Sequence, residues 1–107
     1  SYKGDDHMKI AITSQNKKHI TGHAGKCRKF WLLDIIDNDV ITKTLIELPK
    51  EDSIRARGQL PDDLHGIDTF ITSGMGEGMK RRLQSLDIDY EITDMILIDD
   101  WISSHTS

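Results

Sequence analysis

Residues 69–78 read Thr69-Phe70-Ile71-Thr72-Ser73-Gly74-Met75-Gly76-Glu77-Gly78, and this stretch decides the fold. Thr69 to Ser73 is a short β-branched and aromatic run, the signature of a buried strand. A glycine-rich turn follows it. Met79, Leu83 and Leu86 then recur at i, i+4 and i+7, which predicts an amphipathic helix over 78–86. Ile88, Tyr90 and Ile92 alternate as a second strand. Strand, turn, helix and strand make a βαβ unit, whose two strands run parallel with a right-handed crossover.

Working outward, Lys9 to Thr13 reads as a first strand and 14–29 as a polar loop. Phe30 to Ile36 is a nearly continuous apolar strand, the pattern of a strand covered on both faces. Asp37-Asn38-Asp39 supplies a turn into a second β-rich run, Val40 to Leu48, so the two form a hairpin. A hairpin joined to a βαβ unit gives a mixed sheet. Between Pro49 and Gly66, Asp52 or Ser53 is placed to cap a short helix through Leu60. Pro61 to His65 could start another, stopped by Gly66. Thr93 or Asp94 is placed to cap a final helix with Leu97, Ile98, Trp101 and Ile102 toward the core. Residues 1–7 are polar and patternless and are read as a tag remnant, which leaves a domain over 8–107.

The 107 residues allow one domain. A net charge of −4 argues against a nucleic-acid binder that works by bulk electrostatics. The longest apolar runs are four residues, so neither a membrane-spanning helix nor a signal peptide is expected. One cysteine, Cys27, excludes an internal disulfide and fits a reducing cytoplasm.

Two constellations carry chemistry. Gly74, Gly76 and Gly78 precede a helix whose first N–H groups lack partners, so the turn can cradle an anion or simply join strand to helix. Its G-x-G-x-G spacing is neither the dinucleotide fingerprint nor the Walker loop, and Glu77 opposes a bare phosphate. His19, His23 and Cys27 fall within nine residues of one loop. Imidazole and thiolate are favoured ligands of zinc, copper and iron–sulfur species. Three candidates do not close a structural zinc site, which points to an open or transient one; the alternative is an ordinary polar loop. Arg28 and Lys29 would favour a thiolate at Cys27 if it were exposed. His65 reads as a helix-end residue.

The loop Thr21-Gly22-His23-Ala24-Gly25-Lys26-Cys27-Arg28-Lys29-Phe30 resembles the G-H-A…F segment of the dinitrogenase iron–molybdenum cofactor biosynthesis family. That family includes NifX-like proteins and the NifB C-terminal domain. Ile71 to Gly78 resembles its second hallmark, an apolar strand ending in G-G-M-G-x-G, with Ser73 standing for the first glycine. Ile20-Thr21 stands where many members carry histidine-phenylalanine. The resemblance covers nearly all of residues 8–104. It implies a single-domain ribonuclease-H-like α/β fold, a mixed sheet with flanking helices. It also implies binding or carriage of an iron–sulfur or iron–molybdenum cluster or its precursor, without catalysis, between donor and acceptor proteins. His23 then matches the family histidine, with Cys27 and His19 as further metal candidates. Gly74, Met75, Gly76, Glu77 and Gly78 form the cofactor turn. His23, with Cys27 or His19, and this turn are expected to face one pocket.

Three other functions compete with this one. A ribonuclease-H-like nuclease needs several carboxylates around two metal ions, and the first strand carries none; Asp34 and Asp68 are isolated. A metal-independent interaction or small-anion module could use the charged, proline-bracketed stretch 50–63. A redox role for Cys27 lacks a C-x-x-C partner.

Overall fold

The computed structural model describes residues 7–49, 51, 54 and 58–106. Of the stretch 1–7 read as a tag remnant, only His7 is described, and it opens β1 opposite Ile36; a cap at Asp52 or Ser53 lies outside the described residues. Five strands form one mixed sheet: β1 (His7–Thr13), β2 (Lys29–Ile36), β3 (Asp39–Glu47), β4 (Thr69–Thr72) and β5 (Asp89–Ile92). Their order is β3-β2-β1-β4-β5. β1 pairs antiparallel with β2, and β2 with β3. β1 and β4 are parallel, as are β4 and β5. The hairpin and the parallel βαβ strands are therefore those read from the sequence.

The hairpin turn has both central residues at positive φ, Asp37 at 52° and Asn38 at 69°. Asx residues tolerate that region, and the resulting two-residue turn matches the right-handed twist of the flanking strands. Side chains alternate across the sheet, so β1, β2 and β4 each feed two cores. On one face, Ala11, Phe30 and Phe70 pack with Met79 and Leu83 of helix α1 (Glu77–Ser85), and with Ile54, Leu60 and Leu64. The Phe30 and Phe70 rings meet edge-on at 6.1 Å, a favoured aromatic geometry. On the other face, Ile10, Ile12, Leu33, Ile35 and Ile71 pack with Ile98 and Trp101 of helix α2 (Ile98–His105). Continuous apolar character in β2 thus has its physical cause in helices on both sides.

Several boundaries differ from the expectations. Helix α1 runs one residue earlier at each end, and Leu86 lies beyond it, half exposed. Thr93 does not cap the last helix. Its hydroxyl accepts from the Met95 N–H, which holds a turn; the helix begins at Ile98, and Leu97 is exposed. The segment at Pro61 makes only a 3-10 turn over Asp62–Leu64, ended by Gly66 at φ 84°.

Asp34 shows how the sheet's polar rim is held. Its carboxylate accepts from the Thr42 hydroxyl at 2.6 Å and lies 2.9 Å from His7 Nε2. The Thr42 and then the His7 hydrogen bond hold its pKa below the ordinary value against a smaller opposing effect of burial. A depressed carboxylate contributes stability above the unfolded pKa and loses it as pH falls through the folded value. Asp34→Asn is expected to be modestly less stable than wild type at neutral pH. The gap should narrow as pH falls through and below the ordinary aspartate value of about 3.9, read by urea denaturation over acidic pH.

Candidate functional site

β1 and β4 end in the same tripeptide, Ile12-Thr13-Ser14 and Ile71-Thr72-Ser73. Ile12 pairs with Ile71 in parallel register. The two threonines therefore arrive side by side, fully buried, with their hydroxyls 2.9 Å apart. Both reach the Thr21 carbonyl, at 2.5 Å from Thr13 and 2.9 Å from Thr72. The same carbonyl accepts from the Ser73 N–H at 3.1 Å, and the Thr21 N–H donates back to the Thr13 carbonyl at 3.0 Å. Each hydroxyl has one proton. With the Thr13 proton on the Thr21 carbonyl, the Thr72 proton is free for the Gly74 carbonyl at 3.1 Å. The Thr72 oxygen can then accept from the Gly74 N–H at 3.3 Å.

This network fastens the loop after β1 to the turn after β4. The Ala24 N–H donates to the Gly74 carbonyl at 3.3 Å. Gly22 sits close against the turn: a Cβ there would lie 3.2 Å from Ser73 Oγ, which would have to give slightly, and 3.6 Å from the Gly74 nitrogen. The next residue, His23, takes φ 54°, and its carbonyl accepts from the N–H groups of Lys26 and Cys27. The tight turn that results leaves the imidazole exposed.

Between the loop and helix α1 lies a hollow of about 490 Å³. His23, Lys26, Gly76, Gly78, Met79 and Arg82 are among its lining residues. No side chain caps α1, whose N-cap is Gly76, so its first N–H groups have no side-chain acceptor. Lys26 and Arg82 form no ion pair among the described residues. Glu77 turns to Lys80, 3.0 Å from its Nζ, and does not line the hollow. That hydrogen bond raises the Lys80 pKa. The helix dipole and two cations leave the hollow electropositive on an acidic chain.

Gly76 and Gly78 differ from Gly22. Gly76 is in ordinary extended backbone at φ −83°, and a Cβ at either position meets nothing within 4 Å. Neither backbone strain nor packing requires glycine there. What glycine preserves is access to the backbone from the hollow.

The sequence candidates thus separate. His23, Gly76 and Gly78 share the hollow. Gly74 and Met75 lie behind it, Gly74 in the hydrogen-bonded junction and Met75 against the core. Cys27 is buried, 4% exposed, with Sγ 3.1 Å from the Lys29 carbonyl and 3.6 Å from Gln15 Oε1. Two acceptors beside the sulfur suit a protonated thiol, and the exposure on which a reactive thiolate depended is missing. His19 is held by Asn16, 2.6 Å from ring nitrogen to amide nitrogen, and its backbone bridges to Leu97. Neither Cys27 nor His19 is among the residues lining the hollow. No group of three or more His, Cys, Asp or Glu side chains placed to hold a metal ion occurs among the described residues.

The family model described as dinitrogenase iron-molybdenum cofactor matches residues 7–102. The chain belongs to this family. Among solved structures it is similar to PH0822, at 28% identity over 94% of this chain and 93% of that one, with a TM-score of 0.73. It is also similar in fold to mj0327 of Methanocaldococcus jannaschii, which carries a dinitrogenase name. That crystal structure is 19% identical over 94% of this chain and 93% of its own, with a TM-score of 0.69. An NMR structure of mj0327 gives 18%, 94%, 92% and 0.68. No curated protein matches the chain. No helix among the described residues is long and apolar enough to cross a membrane.

Sequence reasoning did not single out Thr13, Thr72, Lys26 or Arg82 as site residues. The repeated Ile-Thr-Ser was the available signal for the threonines. For the cations there was none, because neither position is marked by a motif. Thr72→Val removes the hydroxyl between Thr21 and Gly74, leaves the part-buried Gly74 N–H without that acceptor and takes the buried partner from the Thr13 hydroxyl. It is expected to cost about 1–3 kcal/mol in urea denaturation, with faster hydrogen exchange at the Ser73 and Ala24 amides.

Proposed function

We propose that this protein binds and carries an iron–sulfur or iron–molybdenum-type cluster, or its precursor, in the hollow between His23 and the 76–78 turn. The cluster is cargo, received from a donor protein and passed to an acceptor in the cytoplasm, and the protein does not transform it. We also propose that the fold is ribonuclease-H-like, a reading supported by the order β3-β2-β1-β4-β5 with β2 antiparallel to β1.

One observation carries the functional reading. An exposed imidazole, two glycines where a Cβ would meet nothing within 4 Å and two cations without an ion pair among the described residues line the same hollow at an uncapped helix start. Imidazole is a ligand suited to iron. Backbone N–H groups can bond to cluster sulfides, and such bonds tune the cluster. Lys26 and Arg82 offset the negative charge of such cargo. A single imidazole ligand suits cargo that has to leave again. Membership of the iron–molybdenum cofactor family and the dinitrogenase name of mj0327 point the same way.

The test is anaerobic reconstitution with iron and sulfide, followed by absorption spectroscopy. Wild type is expected to hold a cluster spectrum that His23→Ala weakens severalfold. Gly78→Ala is the sharper variant. Alanine in a helix is favoured over glycine by up to about 1 kcal/mol. Its methyl group would stand where cargo approaches the backbone. The expected result is unchanged or higher stability together with weaker cluster retention. Full retention in both variants would overturn the assignment of the hollow.

A further inference from the structure

A second depression lies along the outer side of α1. It is a shallow trough of about 670 Å³ whose lining includes Gln59, Leu60, His65, Arg81, Arg82 and Leu86. It shares Gly78 and Arg82 with the hollow, so the two adjoin along α1. The chain has 18 carboxylates, yet none lines either depression among the described residues. Arg81 and Arg82 form no ion pair among the described residues. His65 has Asp62 3.9 Å away, so the two arginines dominate the trough's charge. Leu86, 50% exposed just past the end of α1, gives the trough an apolar floor that its own helix does not use.

We infer that this trough docks an acidic and apolar segment of a partner protein. The pattern fits a peptide better than a small anion. The depression is open, and it combines two arginines with an exposed leucine and with the hydrogen-bonding side chains of Gln59 and Ser85. Carboxylates would pair with Arg81 and Arg82, and an apolar residue would cover Leu86. Opposite charges steer such a segment to a depression that no carboxylate lines among the described residues of an acidic protein. Because Arg82 also lines the hollow, a docked segment lies next to the cargo. A partner that gives or takes a cluster needs that position, and this last step rests on the functional reading above. The docking itself does not depend on what fills the hollow.

The experiment uses the metal-free protein, ¹⁵N-labelled, titrated with a synthetic peptide of alternating glutamate and leucine. Amide shifts are expected to saturate and to concentrate at residues 58–60 and 78–86. Binding should weaken about fivefold or more in Arg81→Glu and in Leu86→Asp, a size ordinary for an interface charge or apolar anchor. Both residues are exposed and outside the hollow, so cluster reconstitution should be unchanged in these variants. Four results would overturn the inference. One is no saturable shift at the trough. Another is equal binding of citrate or of leucine-free polyglutamate, which makes it a plain anion site. A third is tighter binding of a single-stranded oligonucleotide. The fourth is concentration-dependent self-association that places a second copy in the trough. A failed reconstitution with intact peptide binding would remove the carrier reading and leave the docking surface standing.

Discussion

The Thr21 carbonyl is the point on which the site depends. It lies within hydrogen-bond distance of the Thr13 and Thr72 hydroxyls and the Ser73 amide. All of these sit at the ends of two parallel strands. Parallel neighbours present their C-terminal ends at the same edge, and ligands of open α/β sheets bind at that edge. Here the edge is built from buried hydroxyls, which would be costly to leave unpaired. Their satisfaction fixes the loop after β1 against the turn after β4, and no buried side-chain polar atom among the described residues lacks a partner. Positioning is thus a by-product of a strict requirement of the interior.

Electrostatics then decides what the edge is for. The chain is acidic overall, yet its hollow and the adjoining trough are lined by cations and by no carboxylate among the described residues. Glu77, the acid closest in sequence, is withdrawn by Lys80. Exposed charges on opposite sides of such a molecule are largely screened from one another at physiological salt. Local sign therefore outweighs net charge. The same composition that argues against a nucleic-acid binder is compatible with a strongly anion-seeking face. Glycine contributes in two distinct ways: Gly22 permits two backbones to touch, whereas Gly76 and Gly78 keep a surface open.

Much of the fold was legible because periodicity and turn chemistry are local. Alternating and continuous apolar runs mark the strands, Asp37-Asn38 marks the hairpin, and Met79 and Leu83 mark the buried side of α1. Errors fell at helix ends. Thr93 had the side chain of a cap, but its hydroxyl satisfies a turn two residues on. Leu86 continued the helical period, but the chain leaves the helix before it. Of the hollow's lining, His23, Gly76 and Gly78 were conspicuous through residue type and spacing. Cys27 and His19 were equally conspicuous by type, and nothing in spacing alone says that a side chain nine residues or fewer away points elsewhere.

The sequence by itself therefore determined the element types, the mixed hairpin-plus-βαβ arrangement and the chemical repertoire of two loops. These depend on residues close to one another along the chain. Only the tertiary structure decided which repertoire is used together. The pairing of Ile12 with Ile71 spans most of the chain, and it brings Thr13, Thr21 and Thr72 to one point. That junction seats His23 beside α1 while Cys27 turns into the core, held by the Lys29 carbonyl. Lys26 and Arg82 become neighbours for the same reason. Long-range register is set by which faces bury and which polar groups must pair, and neither is written in any single segment.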